Sequence, residues 1–138
     1  MSDQAFAQIE FQMLWASAIL GLVQIAIASI AGWAFVGIRW MNTARDEPPP
    51  ATSRLTARLD RALKNFTETF AIFASAILLA RALGRHTEFS ALGARLYFWG
   101  RVAYVPAYAL GIPYVRGLIW DVATIGIIMV LFAVFPAL

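Results

Sequence analysis

The sequence contains no cysteine, which excludes disulfides and cysteine-based metal or redox sites. Charge is also scarce, because only 14% of the 138 residues are charged while 61% are hydrophobic. A soluble domain typically has about 45–50% apolar and about 25% charged residues. The composition therefore excludes an ordinary soluble domain, a disordered chain and a collagen-like repeat, and we expect no bound metal.

Basic residues are few and do not form one block, and Lys64 is the one lysine. Nucleic-acid binding needs a concentrated basic face, so nucleic acid is excluded as a partner. The N-terminus lacks the basic residues of a signal peptide, since it carries Asp3 and Glu10. The apolar stretch that follows is also longer than a signal-peptide core. We therefore predict that this first segment is retained as a membrane span.

Long apolar stretches are what the sequence has in abundance. A length of 138 residues leaves room for about four spans of roughly 20 residues each. We predict an all-α integral membrane four-helix bundle that forms a single domain. The predicted spans cover approximately residues 9–39, 56–83, 89–110 and 114–136, with a polar loop at 40–55.

Lysine and arginine are distributed unequally between the loops. Six lie in or beside the first loop and three in or beside the second. Because basic loops tend to stay in the cytoplasm, loop 40–55 is predicted to be cytoplasmic and both termini non-cytoplasmic. The chain is then a multi-pass membrane protein, of the inner or plasma membrane if its source is bacterial. His86, in the opposite loop, is predicted to be solvated.

Polar and ionisable residues in or beside membrane spans are costly, so they mark candidate functional positions. Residues spaced three, four or seven apart share one face of a helix. Several such residues lie toward the predicted cytoplasmic ends of their helices, so we expect them to meet at one depth. The candidates are Arg61, Asn65 and Glu68 on the second helix, Arg101, Tyr104 and Tyr108 on the third, and Arg116 at the start of the fourth.

These side-chain types suit a ligand that carries both carboxylates and an ammonium group. Guanidinium groups bind anions through a planar fork of donors. The carboxylate would bind the ammonium group, and the amide and phenols would add neutral hydrogen bonds. A remaining guanidinium could stabilise a developing thiolate or oxyanion. A zwitterionic peptide with a thiol fits this set, although the composition alone does not single it out.

The same residues are also compatible with a purely structural role. Arg61, Glu68 and Arg101 could form ion pairs between helices, and arginines at the cytoplasmic ends could extend toward lipid phosphates. Arg58 and Lys64 are predicted to be solvated or lipid-facing. Spacing alone does not decide between these interpretations and a binding site.

The segment RALKNFTE at residues 61–68 resembles the RA-x-x-N-x-x-E signature of the MAPEG family. These are the membrane-associated proteins of eicosanoid and glutathione metabolism. The R-x-x-Y-x-x-x-Y pattern at residues 101–108, followed by Arg116, adds a second match in the right order. The resemblance covers nearly the whole chain, and the chain is identified as a small member similar to the microsomal glutathione transferases.

The resemblance implies a homotrimer in the lipid bilayer, with glutathione as co-substrate bound between neighbouring subunits near the cytoplasmic side. Arg116 resembles the arginine that stabilises the glutathione thiolate in the leukotriene and prostaglandin synthases of the family. The thiolate is the reactive nucleophile, which makes Arg116 the candidate catalytic residue. By position, the glutathione-binding residues would be Arg61, Asn65 and Glu68 at the γ-glutamyl end, together with Arg101, Tyr104 and Tyr108.

We therefore predict a glutathione-dependent membrane transferase or peroxidase that acts on lipophilic electrophiles arriving from the bilayer. The alternative is a non-catalytic membrane scaffold or ligand-binding protein that keeps the MAPEG fold. A third, weaker hypothesis is a small channel or proton pathway that uses Glu68 and Asp121. The hydrophobic substrate, and the choice among transferase, peroxidase and isomerase, stay open at this point.

Overall fold

The computed structural model of the protein describes residues 2–44, 46–48 and 50–135. Pro136, where the predicted fourth span ends, lies outside these ranges, as do two residues of the predicted loop 40–55. The described residues form helices joined by turns and loops, with no strand among them.

Four long helices account for most of the described chain, which confirms the prediction of an all-α four-helix bundle. The first of them contains a five-residue π-helical segment at Trp33–Gly37. The helices are α1 (Asp3–Met41), α2 (Arg54–Ala82), α3 (Glu88–Leu110) and α4 (Val115–Val134).

Three of these helices, α1, α2 and α4, are long and apolar enough to cross a membrane. Helix α3 is not in that group, although its 23 residues exceed the roughly 20 residues that a span needs. It carries Arg95 and Arg101, which reduce its apolarity. The protein is thus an integral membrane protein whose third helix depends on its neighbours for a place in the bundle.

Contacts between the helices establish their relative directions. Glu10, near the start of α1, meets His86 beyond the end of α2 and Ser90 at the start of α3. Midway along, Gly21 of α1 lies against Phe66 of α2. Helix α1 is therefore antiparallel to α2 and parallel to α3. Which side faces the cytoplasm stays a prediction.

Helices α3 and α4 approach each other most closely, at a pair of glycines. A Cβ atom on Gly93 would lie 2.6 Å from the carbonyl oxygen of Gly126, and one on Gly126 would lie 2.5 Å from that of Gly93. Further along, a Cβ atom on Gly100 would lie 3.0 Å from the Cβ of Ala123. Small residues permit such backbone packing, which drives helix association in lipid. This contact holds α3 against the more apolar α4.

The core of the bundle is formed by side chains of α2, α3 and α4. The rings of Phe73 and Tyr97 stack at its centre, with their centroids 4.0 Å apart. Close packing of this kind holds helices together in a bilayer, where no hydrophobic force acts between them. The core residues are Phe73, Ala76, Ile77, Ala94, Tyr97, Ala123, Ile127 and Val130.

A buried polar cluster lies at the end of the bundle where α1 and α3 begin. The Oε2 atom of the fully buried Glu10 lies 2.7 Å from Nδ1 of His86. Its Oε1 atom accepts a hydrogen bond from the hydroxyl of Ser90. The prediction that His86 is solvated is wrong, because its side chain is only 7% exposed. A buried carboxylate needs such partners, since an unpaired charge in an apolar interior is costly.

Candidate functional site

The most buried part of the site is a hydrogen bond between side chains of α2 and α3. Nη1 of Arg101 donates to Oδ1 of Asn65 over 2.7 Å, and Arg101 is only 1% exposed. The guanidinium carbon also lies 5.5 Å and 5.4 Å from the ring centroids of Tyr97 and Tyr104, within reach of a cation–π interaction. Its Nε and Nη2 atoms are buried and find no hydrogen-bond partner in the described ranges. One edge of this guanidinium therefore has unused donors.

Two exposed arginines converge on the ring of Tyr108. Nε of Arg61 donates to the Tyr108 hydroxyl over 3.2 Å, and the Arg61 guanidinium carbon lies 6.0 Å from the ring centroid. Arg116, from the first turn of α4, places its guanidinium carbon 5.1 Å from the same centroid. Among the residues that the structure describes, neither arginine forms a salt bridge. Two positive groups thus share one ring without a counter-ion.

Tyr104 links these two parts of the site. Its ring centroid lies 5.4 Å from that of Tyr108, and its ring also faces Arg101. Side chains of α2, α3 and α4 therefore form one continuous cluster at the end of the bundle where α3 ends and α4 begins. We call it the arginine–tyrosine cluster; its members are Arg61, Asn65, Arg101, Tyr104, Tyr108 and Arg116.

Glu68 is the candidate residue that the structure does not bring into this cluster. Its side chain is exposed on α2, one turn beyond Asn65, and forms no ion pair within the described part of the chain. The structural alternative of ion pairs among Arg61, Glu68 and Arg101 is therefore not found within one protomer. Asp121 of α4 is likewise exposed and makes no salt bridge with any described residue.

Arg58 occupies a place that the sequence did not predict. It is half-buried and its Nη1 donates to the carbonyl oxygen of Ala109 over 3.1 Å. The expectation of a solvated or lipid-facing side chain is thus wrong for Arg58, whereas Lys64 is exposed. Two features of the sequence did point to a role for Arg58. It lies one helical turn before Arg61 and so shares its face of α2, and cations favour helix C-termini. The sequence did not reveal which C-terminus it would reach.

The arginine–tyrosine cluster is suited to binding an anion. Arg61 and Arg116 are exposed, so a ligand can reach both guanidiniums without unfolding the bundle. Charge exposed at membrane depth is costly unless it faces water, a ligand or another protein. The surface that carries Arg61 and Glu68 is therefore unsuited to direct contact with lipid tails.

Comparisons with known proteins assign the chain to a family. The MAPEG family model matches residues 13–135, a range that includes the whole arginine–tyrosine cluster and nearly all of the four helices. No curated protein and no solved structure matches the chain. The extent of the family match agrees with the four-helix bundle and its three apolar spans. The chain belongs to the MAPEG family.

Proposed function

We propose that this protein is a glutathione-dependent membrane transferase or peroxidase that acts on lipophilic electrophiles. Membership of the MAPEG family supports a glutathione-related membrane function of the transferase or isomerase type in general. One observation carries the narrower proposal. Arg61 and Arg116 present two exposed guanidiniums to the Tyr108 ring, and neither has a carboxylate partner among the described residues.

Glutathione offers the groups that this cluster lacks. Its two carboxylates are acceptors for guanidinium donors, since charge-assisted pairs of this kind are among the stronger hydrogen bonds. Asn65 uses its Oδ1 atom for Arg101, which leaves its amide nitrogen for the ligand. The exposed Glu68 would bind the ammonium group of the γ-glutamyl end. The Nε and Nη2 atoms of Arg101, which have no hydrogen-bond partner among the described residues, are further donors for a carboxylate.

Arg116 would supply the chemical assistance. The thiol of glutathione loses its proton to water, and the resulting thiolate is the nucleophile. A guanidinium beside the sulfur stabilises that negative charge in a partly dry site. The thiolate then forms a bond to the electrophilic carbon of the second substrate while the leaving group departs. With a hydroperoxide, two glutathione molecules would be oxidised to their disulfide while the peroxide is reduced to an alcohol and water.

The proposal includes a homotrimer in which neighbouring protomers complete the site. Arg61 and Glu68 are exposed on the surface of one protomer, and a neighbour packed there would remove these charges from lipid. The same boundary would give a lipophilic substrate a path from the bilayer to the thiolate. Glutathione would arrive from the cytoplasm.

The test is glutathione conjugation to an aryl halide by the purified protein in detergent or nanodiscs. Replacing Arg116 with alanine should reduce kcat by roughly a hundredfold or more, as the loss of one charge-stabilising donor does in other enzymes. Arg54→Ala is the matched control, because Arg54 is exposed at the start of α2 and lies outside the cluster. It should leave activity close to that of the wild type.

A non-catalytic scaffold is the competing outcome, and the burial of Arg101 against Asn65 favours a packing role for that pair. In a scaffold, Arg61→Ala and Glu68→Ala would lower thermal stability without changing any ligand effect. Glutathione that binds only the folded protein should raise the unfolding midpoint in step with ln(1 + [L]/Kd). No shift with millimolar glutathione in the wild type would reject the proposed function.

A further inference from the structure

We infer that Arg58 is a positioning residue, which anchors the turn between α3 and α4 and thereby fixes where Arg116 stands. The inference rests on the proposed function, in which Arg116 stabilises the thiolate. It is carried by the contact of Arg58 with the end of α3, by the space at Gly111, and by the shortness of the turn.

Arg58 connects α2 to the last turn of α3. Its Nη1 atom donates to the carbonyl oxygen of Ala109, a residue 51 positions away in the sequence. The last carbonyls of a helix have no donor within the helix, and the negative end of the helix dipole favours a cation. The bond therefore satisfies an otherwise unpaired carbonyl and fixes the end of α3 relative to α2.

The guanidinium of Arg58 also fills the space beside Gly111. A Cβ atom at position 111 would lie 2.5 Å from the guanidinium carbon and 2.6 Å from each terminal nitrogen. Gly111 has a φ of 71° in the left-handed region, where a side chain is unfavourable. Glycine is thus favoured here for two reasons: it tolerates the positive φ, and it leaves room for the Arg58 guanidinium.

The turn that follows has little freedom to absorb a displacement. Residues 111–114 connect α3 to α4, and the amides of Gly111 and Ile112 bond back to the last turn of α3. Pro113 has a fixed φ, and Tyr114 adopts a φ of 62°. Arg116 follows two residues later, so a shift of Gly111 is transmitted directly to it. The Arg116 guanidinium lies beside the Tyr108 ring. By fixing the turn, Arg58 would keep Arg116 at this place.

The first experiment compares Arg58→Ala with Arg54→Ala in the conjugation assay. We expect kcat of Arg58→Ala to fall between about tenfold and a hundredfold, because a displacement of about 1 Å can cost that much. The KM for glutathione should change less than kcat does, by no more than about fivefold, since Arg61 and Asn65 stay on α2 and only Tyr108 lies in the freed last turn of α3. The acid limb of the kcat profile should move to higher pH, because a displaced Arg116 favours the thiolate less. Arg54→Ala should show none of these changes.

A double-mutant cycle separates this role from general destabilisation. In Gly111→Ala, the new methyl group must displace the Arg58 guanidinium, so kcat should fall as in Arg58→Ala. In the double variant that guanidinium is gone, so Gly111→Ala should cost less than it does in the wild type, and only the part of the loss that comes from the positive φ of residue 111 should remain. Coupling of this kind is expected only for residues that share a contact. If the fold-loss of kcat in the double variant equals the product of the losses in the two single variants, the inference is overturned.

Failure of the inference is distinguishable from failure of the proposed function. If the wild type neither binds nor conjugates glutathione, the proposed function fails, and the anchor is judged by hydrogen exchange of the amides of residues 111, 112 and 114–116. Faster exchange there in Arg58→Ala than in Arg54→Ala supports the anchor, and equal exchange overturns it. If the wild type is active, an Arg58→Ala variant with unchanged kcat and pH profile overturns the positioning role.

Discussion

At the scale of single residues, the buried polar side chains are informative because the chain is so apolar. Glu10 has no exposed surface, yet both of its carboxylate oxygens have partners, His86 on one side and Ser90 on the other. Removing one member of a buried pair leaves the other without compensation, which costs more than the pair itself contributes. Stability should therefore depend strongly on Glu10 and weakly on the exposed charges.

Replacing Glu10 with alanine should lower the free energy of unfolding by roughly 1–3 kcal/mol, the cost of leaving the polar groups of His86 and Ser90 buried without their partner. Asp3→Ala is the control, since Asp3 lies on the same helix and is exposed. Unfolding of both variants by heat or denaturant would be followed in the same detergent. Equal losses for Glu10 and Asp3 would show that the buried cluster is not a stabilising contact.

Replacing Tyr108 with phenylalanine should weaken glutathione binding by about fivefold, the equivalent of roughly 1 kcal/mol. The ring that faces Arg116 stays, but the hydroxyl that accepts a hydrogen bond from Arg61 is lost. Tyr114→Phe is the control, because Tyr114 is 88% exposed. Glutathione titration by thermal shift would measure both, and a similar change in both variants would contradict the role of the hydroxyl.

At the scale of helices, the bundle depends on how closely α3 lies against α4. The two backbones touch at Gly93 and Gly126, and a larger side chain at either position would push the helices apart. Since Arg101 and Tyr104 are on α3 and Arg116 is on α4, this separation would also disturb the arginine–tyrosine cluster. Helix packing and site geometry are thus linked through two glycines.

Replacing Gly126 with alanine should destabilise the protein by about 2 kcal/mol, because overpacking a tight contact typically costs 1–3 kcal/mol. Gly117→Ala is the matched control on the same helix, since a Cβ atom there would meet nothing within 4 Å. Alanine at 117 should be neutral or slightly stabilising, given its better helix propensity. Thermal unfolding would rank the two variants, and equal midpoints would contradict the close packing.

The helices and most of the site could be predicted from the sequence, because both depend on local patterns. Apolar stretches of sufficient length indicate the spans, and residues spaced along one helical face indicate which side chains can act together. Arg58 and His86 were wrongly predicted because their partners, Ala109 and Glu10, are 51 and 76 positions away. Periodicity contains no information about such pairs until the packing of the helices is known.

At the scale of the whole molecule, one protomer leaves three charged side chains exposed along α2. Arg61, Lys64 and Glu68 are all exposed on α2. Such groups are expensive in contact with lipid tails, and in the proposed homotrimer a neighbouring copy would cover them. The function and the assembly are therefore expected to be lost together when this surface is changed.

Native mass spectrometry of the detergent-solubilised protein should show a homotrimer. Glu68→Arg should release monomers, because it adds a positive charge near Arg61 and Lys64 and removes a carboxylate from this surface. Glu47→Arg is the control, since Glu47 is exposed in the loop before α2. A wild-type protein that is monomeric at all concentrations, or a Glu68→Arg variant that remains trimeric, would contradict this assembly.

The limited apolarity of α3 has a consequence for biosynthesis. Translation completes α3 before α4, yet α3 is not among the helices that could cross a bilayer by length and composition. Arginine at the centre of a span raises the cost of insertion by about 2.5–3.5 kcal/mol. We therefore expect the insertion machinery to hold α3 until α4 emerges, so that the two are released into lipid as one hairpin. A nascent chain that stops at Gly111 should leave its third segment outside the hydrocarbon, as glycosylation mapping would reveal.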